Sequence, residues 1–302
     1  MKKSRLNFIL LISAALLFAS ACGRPAAHSG GLDVREVTDD LGRRVVLPVE
    51  VTRVVSLAPN ITEIIFAVGA GDKLVGVTSF CDYPEEAKRI QKIGDTLKPN
   101  IESIVALKPQ VVFVTTASQL EAFSGVLKEQ GISVFTTNPD SVESVFESMF
   151  AIGDVLGRAV EAGRVVSRLK ARVGKVREEA SRTTWEVPQT VFVQLDPTLY
   201  TVGKGSFITD LIAIAGGRSV TAGIEAAYPK VSKEAAAAYD PRVIILSDSP
   251  DNREPNKVFA NSQAVKSGRI VRIDADVLSR PGPRIVSALE LIFEGLLGRK
   301  TE

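Results

Sequence analysis

The sequence predicts an α/β chain of two similar lobes, each with a mainly parallel sheet flanked by helices, the lobes joined by one long helix. Three observations lead there. Short apolar runs alternate with helical periodicity from residue 51 onward, the second half echoes the first, and one uninterrupted helical pattern separates the halves.

Taken in order, residues 1–21 read as an export signal. Lys2, Lys3 and Arg5 precede an apolar stretch, Phe8 to Phe18, that is too short to cross a bilayer comfortably, and the small residues Ala19, Ser20 and Ala21 follow. This ending is either an ordinary A-x-A cleavage site or, with Cys22, a lipoprotein box in which Ala19 stands where leucine is usual. In a chain with only 2 cysteines, one at that spot weighs toward lipidation of Cys22 and anchoring through acyl chains, at the periplasmic or outer cell surface. Residues 22–50 are the tether and entry segment, in which Pro25, Ser29, Gly30 and Gly31 imply flexibility. His28, the only histidine, falls there, where no packed neighbours could hold it as a ligand or a base.

The first lobe is expected over 51–156. Arg53 to Leu57 reads as a strand ended by Pro59, and Ile61 to Val68 as a helix with Asn60 as cap and Gly69 as stop. Further strands are expected at 73–77, 111–115 and 133–136, with helices at 101–107, 119–130 and 141–156. In the connecting helix, 157–182, Ala159, Ala162, Val166, Leu169, Val173 and Val176 recur at helical spacing over ~39 Å. A stiff helix there implies small opening motions. The second lobe, 183–302, repeats the first: Ile61 to Gly69 is echoed by Ile208 to Gly216, and Glu102 to Pro109 by Glu234 to Pro241.

Composition narrows function. Lys and Arg total 37 against 35 Asp and Glu, and without the three leader bases 34 against 35, so the basic excess of a nucleic-acid binder is missing. One histidine gives no zinc pair and no Cys-His or Ser-His couple, so hydrolase and transition-metal chemistry lose their residues. Cys81 reads as a small buried residue. Gly203-Lys204-Gly205-Ser206 lacks the spacing of a phosphate loop and reads as a turn capping a helix, while Lys170, Arg172, Lys175 and Arg177 read as a solvated helix face.

Arg53 to Glu63, Val75 to Pro84, Asn100 to Pro109, Tyr200 to Lys204, Tyr228 to Glu234 and Arg280 to Ile285 together resemble the vitamin B12-binding proteins of ABC importers. These belong to the helical-backbone class of substrate-binding proteins, which also carries ferric siderophores and haem. The resemblance covers about residues 51–298. It implies a monomeric, non-enzymatic receptor without an intrinsic cofactor, binding cobalamin or a related corrinoid edgewise between the lobes and delivering it to a permease dimer with its ATPase subunits. The positions it marks for the ligand are Phe80, Thr116, Tyr200, Tyr228, Asp276, Val277, Leu278, Ser279 and Arg280. Phe80 lacks the hydroxyl of the usual tyrosine, Thr116 and Tyr228 replace larger aromatics, and Ser279 replaces an acid. For permease docking it marks one surface glutamate per lobe, Glu121 and Glu234. Two alternatives stand beside it. A ferric siderophore or haem receptor would use a cation such as Arg280 or an axial tyrosine, and an exported enzyme would use Asp196, Asp210 or Asp276 as acid or base.

Overall fold

A computed structural model describes residues 33–116 and 121–299. The leader, Cys22 and His28 lie outside the described residues. From Val34 the entry segment is already structured: β1 (Val34–Thr38) and β2 (Arg44–Pro48) form an antiparallel hairpin. Its turn is held by Asp39, whose Oδ1 accepts from the Leu41 and Arg43 amides while Oδ2 takes the Arg43 guanidinium at 2.6 and 3.0 Å. Val45 and Leu47 are buried, and the Ser133 hydroxyl donates to the Val46 carbonyl, so the hairpin packs on the first lobe.

The first sheet follows from β3 (Val54–Ser56), β4 (Leu74–Val77), β5 (Val111–Thr115) and β6 (Ser133–Thr137), all parallel in the order β4-β3-β5-β6. Between and after them run α1 (Pro59–Ala67), α2 (Ile101–Ala106), α3 (Glu121–Glu129) and α4 (Val142–Val155). Helix α1 departs from expectation at its start. Pro59 occupies the first turn, where a fixed φ and a missing N–H cost nothing, so Ala58 is the cap and Asn60 lies inside the helix, buried.

Helix α5 (Ala159–Arg182) spans 24 residues, about 36 Å. Beyond it come β7 (Thr190–Gln194), α6 (Phe207–Ile214), β8 (Arg218–Ser219), α7 (Lys233–Tyr239), β9 (Val243–Asp248), α8 (Gln263–Lys266), β10 (Ile270–Asp274), α9 (Ala275–Ser279) and α10 (Ile285–Leu296). Their sheet is also parallel, ordered β10-β9-β7-β8. In both sheets the first strand in sequence lies between the second and the third, and the fourth sits outside the third. The echo extends to the backbone: Gly69 and Gly216 end α1 and α6 with φ of 74° and 82°, and Lys108 and Asp240 adopt φ of 47° and 41° just before Pro109 and Pro241.

The two faces of each sheet feed different cores. Val54, Val111 and Phe113 of the first sheet and Val191, Val193 and Ile245 of the second join one apolar core with α5, through Ala162, Val165, Leu169, Val173 and Val176. Val55, Val112 and Val114 face an outer core under α2 and α3, and Phe192, Ile244 and Leu246 a matching one under α7 and Phe259. At roughly 1.5–3 kcal/mol for each large side chain fully buried, the shared core fixes how the lobes are joined. Arg172 departs from the expected solvated face. Half-buried, it pairs with Glu290 at 2.6 and 2.9 Å and reaches Ser287, tying α5 to α10, while Lys170 pairs with Glu143 of α4. Lys175 and Arg177 are exposed.

Candidate functional site

In parallel α/β sheets the loops that leave the carboxyl ends of the strands converge, and ligands bind there. Here those ends face each other across a cleft of about 520 Å³. One wall is Thr115 and Thr116 at the end of β5 with Thr137, Asn138 and Pro139 at the end of β6; Ala58, Pro59 and Asn60 open α1 beside them, and Thr96 adds to this side. The facing wall is Leu195 after β7, Ile208 of α6, Tyr228, Ser247 of β9 and Ser279, Arg280 and Pro281 at the end of α9.

The first wall is braced from the hairpin. The Thr116 hydroxyl donates to Asn138 Oδ1 at 2.6 Å, the Asn138 amide donates to Asp40 Oδ2 at 2.9 Å, and the same oxygen takes the Ser148 hydroxyl at 2.6 Å. On the second wall Tyr228 sits on a strap laid along residues 200–204: the Thr201, Gly203 and Lys204 amides donate to the carbonyls of Pro229, Ala227 and Ile224 at 2.7 to 2.9 Å. Burial raises the ionisation range of the Tyr228 hydroxyl, against an opposing hydrogen bond with Ser206. Ser206 also caps α6, accepting from the Ile208 amide, as expected of a capping turn.

Arg280 lies at the junction of the lobes, its side chain 10% exposed, and its guanidinium meets three carboxylates: Glu63 Oε1 at 3.0 Å, Asp82 Oδ1 at 2.8 Å and Asp276 Oδ2 at 2.7 Å. Burial works against the charged form of Asp82, but the Arg280 hydrogen bond and charge outweigh it and hold that carboxyl below its ordinary range. Arg284 adds two bonds to Glu63, at 2.6 and 2.8 Å, and stacks over the Tyr83 ring with its guanidinium carbon 4.4 Å from the centroid.

Of the nine expected ligand positions the cleft therefore brings together four: Thr116, Tyr228, Ser279 and Arg280. The other five lie outside that lining. Leu278 is fully buried and Val277 packs against the same core, because α9 turns that face onto α10. Asp276 pairs with Arg280, Phe80 gives its carbonyl to Arg280 and is exposed, and Tyr200 has the Lys230 ammonium 5.4 Å from its ring. Thr115, Thr137, Asn138, Asn60 and Ser247 were not expected. The signal that finds them is positional: they stand at the carboxyl ends of strands, or at the helix start that follows.

The enzymatic candidates each have structural partners. Asp196 holds a turn by accepting from the Thr198 amide and hydroxyl, Asp210 caps the start of α4 through the Val142 amide at 2.8 Å, and Asp276 pairs with Arg280. Cys81 is buried, with the Thr62 and Thr78 hydroxyls each 3.1 Å from its sulfur. Among the described residues no group of three His, Cys, Asp or Glu converges as a metal site would need, and no helix is long and apolar enough to cross a membrane.

Glu234 lies in the first turn of α7, exposed, after the cap Ser232; hydrogen bonds from its own backbone amide and the Ser232 hydroxyl hold its carboxyl below the ordinary range. Glu102 has the same place in α2, after the cap Asn100, and is likewise exposed. Glu121 opens α3, and its side chain lies outside the described residues.

Comparison with known proteins agrees with this geometry. The chain is 30% identical to the ABC transporter substrate-binding lipoprotein YvrC of Bacillus subtilis strain 168, over 98% of both chains. The periplasmic vitamin B12-binding protein BtuF of Vibrio cholerae is 26% identical with a TM-score of 0.73, over 82% of this chain and 97% of that one. The periplasmic haem-binding protein RhuT of Roseiflexus sp. RS-1, also 26% identical, has a TM-score of 0.70 over 82% and 99%. With two matching parallel sheets joined by α5, a cleft at their strand ends and a family match over residues 54–277, the chain belongs to the periplasmic binding protein family.

Proposed function

We propose that the protein is the non-enzymatic receptor of an ABC importer, exported and anchored through lipid on Cys22, and that it binds a cobalamin-like corrinoid for delivery to a permease dimer with its ATPase subunits. The observation that carries the choice of cargo is the state of Arg280. It is the only lining cation of the cleft among the described residues, and three carboxylates already neutralise it. An anionic ferric siderophore would find no unpaired positive charge there. The remaining polar lining is hydroxyls and amides, from Asn60, Thr96, Thr115, Thr116, Thr137, Asn138, Ser247 and Ser279. Such groups donate to and accept from neutral amides, which a corrinoid carries around its rim. For an axial haem bond the lining offers one tyrosine among the described residues, Tyr228, whose hydroxyl burial holds in its protonated form, and Tyr200 lies outside the lining.

The test is calorimetric titration of the purified protein with cyanocobalamin, cobinamide, haemin and a ferric catecholate. We expect one-to-one binding of at least one corrinoid at concentrations below ~100 μM, corresponding to more than about 5.5 kcal/mol. Binding confined to haemin or to the ferric complex would overturn the corrinoid reading. For the anchor, mass spectrometry of the membrane fraction should find a mature chain starting at a diacylated Cys22; a soluble chain with that cysteine absent or unmodified would refute lipidation.

A further inference from the structure

Behind the Arg280 of the cleft wall lies one buried carboxylate. Glu63 belongs to α1 of the first lobe, and its side chain is 1% exposed. Both groups that neutralise it, Arg280 and Arg284, come from the second lobe, from the segment joining α9 to α10. The surroundings reinforce the junction from both sides. Asp82 and the Phe80 carbonyl of the first lobe hold Arg280, Tyr83 of the first lobe stacks under Arg284, and the Asn60 amide donates to the Pro281 carbonyl at 3.3 Å. Gly282 packs on the same residue, its Cβ position in ordinary contact with the Asn60 carbonyl oxygen at 3.4 Å.

Such an arrangement resists separation. A buried carboxylate is costly unless paired and hydrogen-bonded, and here every strong partner belongs to the other lobe, so moving the lobes apart would strand a charge in a low-dielectric site. Glu63 and Arg284 lie beside Val165 and Leu169 of α5, and Arg280 carries the junction from there into the cleft wall. We infer that Glu63 is a positioning residue that latches the lobes through Arg280 and Arg284, fixing the width of the cleft and holding Arg280 in its wall before any ligand arrives. The latch explains how a neutral cleft can be preorganised, since it consumes the one lining cation as its fastener. Preorganisation of this kind raises affinity by lowering the ordering that binding requires. The cleft-width claim holds whatever the cargo; only the affinity arm of the test rests on the corrinoid reading.

The experiment measures interlobe distance in the ligand-free full chain. Spin labels are placed through cysteines at Lys128 and Lys266, exposed positions on α3 and α8, with Cys22 replaced by serine and the buried Cys81 retained. Double electron–electron resonance should give a narrow distribution for the otherwise unmodified protein and one at least twice as wide for Glu63→Gln, with Glu63→Asp between them. Arg284→Gln, which breaks the latch from its more exposed partner, should broaden it as well and carries the test where Glu63→Gln does not fold. Cyanocobalamin affinity should fall at least tenfold in Glu63→Gln. An unchanged distance distribution in a folded variant overturns the latch, even where affinity falls. If the unmodified protein takes no cyanocobalamin, the corrinoid reading fails, and the distances still decide the latch.

Discussion

Replacing Glu102 and Glu234 together by alanine is expected to abolish uptake in cells while leaving cargo binding by the purified protein within a few-fold of wild type. The reasoning starts from symmetry. A receptor of two similar lobes can sit over a two-fold permease dimer if each lobe presents an equivalent acid to an equivalent basic pocket. Sequence spacing and family resemblance select Glu121 and Glu234 as that pair. The repeated topology selects differently: α2 and α7 each precede the third strand of their sheet, each is capped by a polar side chain, and each carries its glutamate as the second helical residue. By this correspondence the partner of Glu234 is Glu102. Both are exposed, so their exchange for alanine removes no buried contact and should leave folding intact. Charges at a docking rim govern encounter and orientation more than the stability of a distant site. Each single change should therefore reduce uptake severalfold, and a Glu121→Ala, Glu234→Ala chain should behave like Glu234→Ala alone. If uptake survives in the Glu102, Glu234 double variant, or falls only in step with cargo affinity, the docking pair is refuted.

How much of this was legible beforehand differs between the fold and the site. Strand and helix positions were readable because each apolar run is short and bounded by proline, glycine or a polar cap, and the duplicated topology was readable because Ile61 to Gly69 and Ile208 to Gly216 keep one pattern. The hairpin at 34–48 was hidden in what reads as a tether, since alternate residues of β1 and β2 stay exposed and only Val45 and Leu47 reach the core. In the site, residue type alone does not say which groups line the cleft: Phe80 and Tyr200 are exposed outside the lining, Tyr200 beside the Lys230 ammonium, and Asp276 pairs with Arg280. Glu63 carries no signal of its own in the sequence, because its two partners are 217 and 221 residues away and become neighbours only when the lobes fold together.

Gly203→Ala is expected to weaken corrinoid binding by roughly 100-fold, about 2.7 kcal/mol, although residue 203 does not line the cleft. A methyl group built on Gly203 would lie 2.1 Å from the Ala226 carbonyl oxygen and 2.6 Å from that of Ile224, so the obstacle is main chain and cannot swing aside as a side chain could. The Gly203 amide also donates to the Ala227 carbonyl at 2.8 Å, which means the strap is drawn against this position by the same bond that leaves no room for a Cβ. To admit the methyl the strap must lift, and Tyr228, one residue beyond Ala227, lifts with it. The cleft then loses the one aromatic side chain that lines it among the described residues. Overpacking of this kind costs about 1–3 kcal/mol in stability, and at roughly 2–4 °C per kcal/mol for a chain of this size the melting temperature should fall by about 2–12 °C. Gly223→Ala is the control: it sits on the same strap with open space around its position, and it should leave both affinity and melting temperature unchanged. Equal affinity in the two variants would show that the strap does not shape the site, and that Tyr228 lines the cleft without contributing to what it holds.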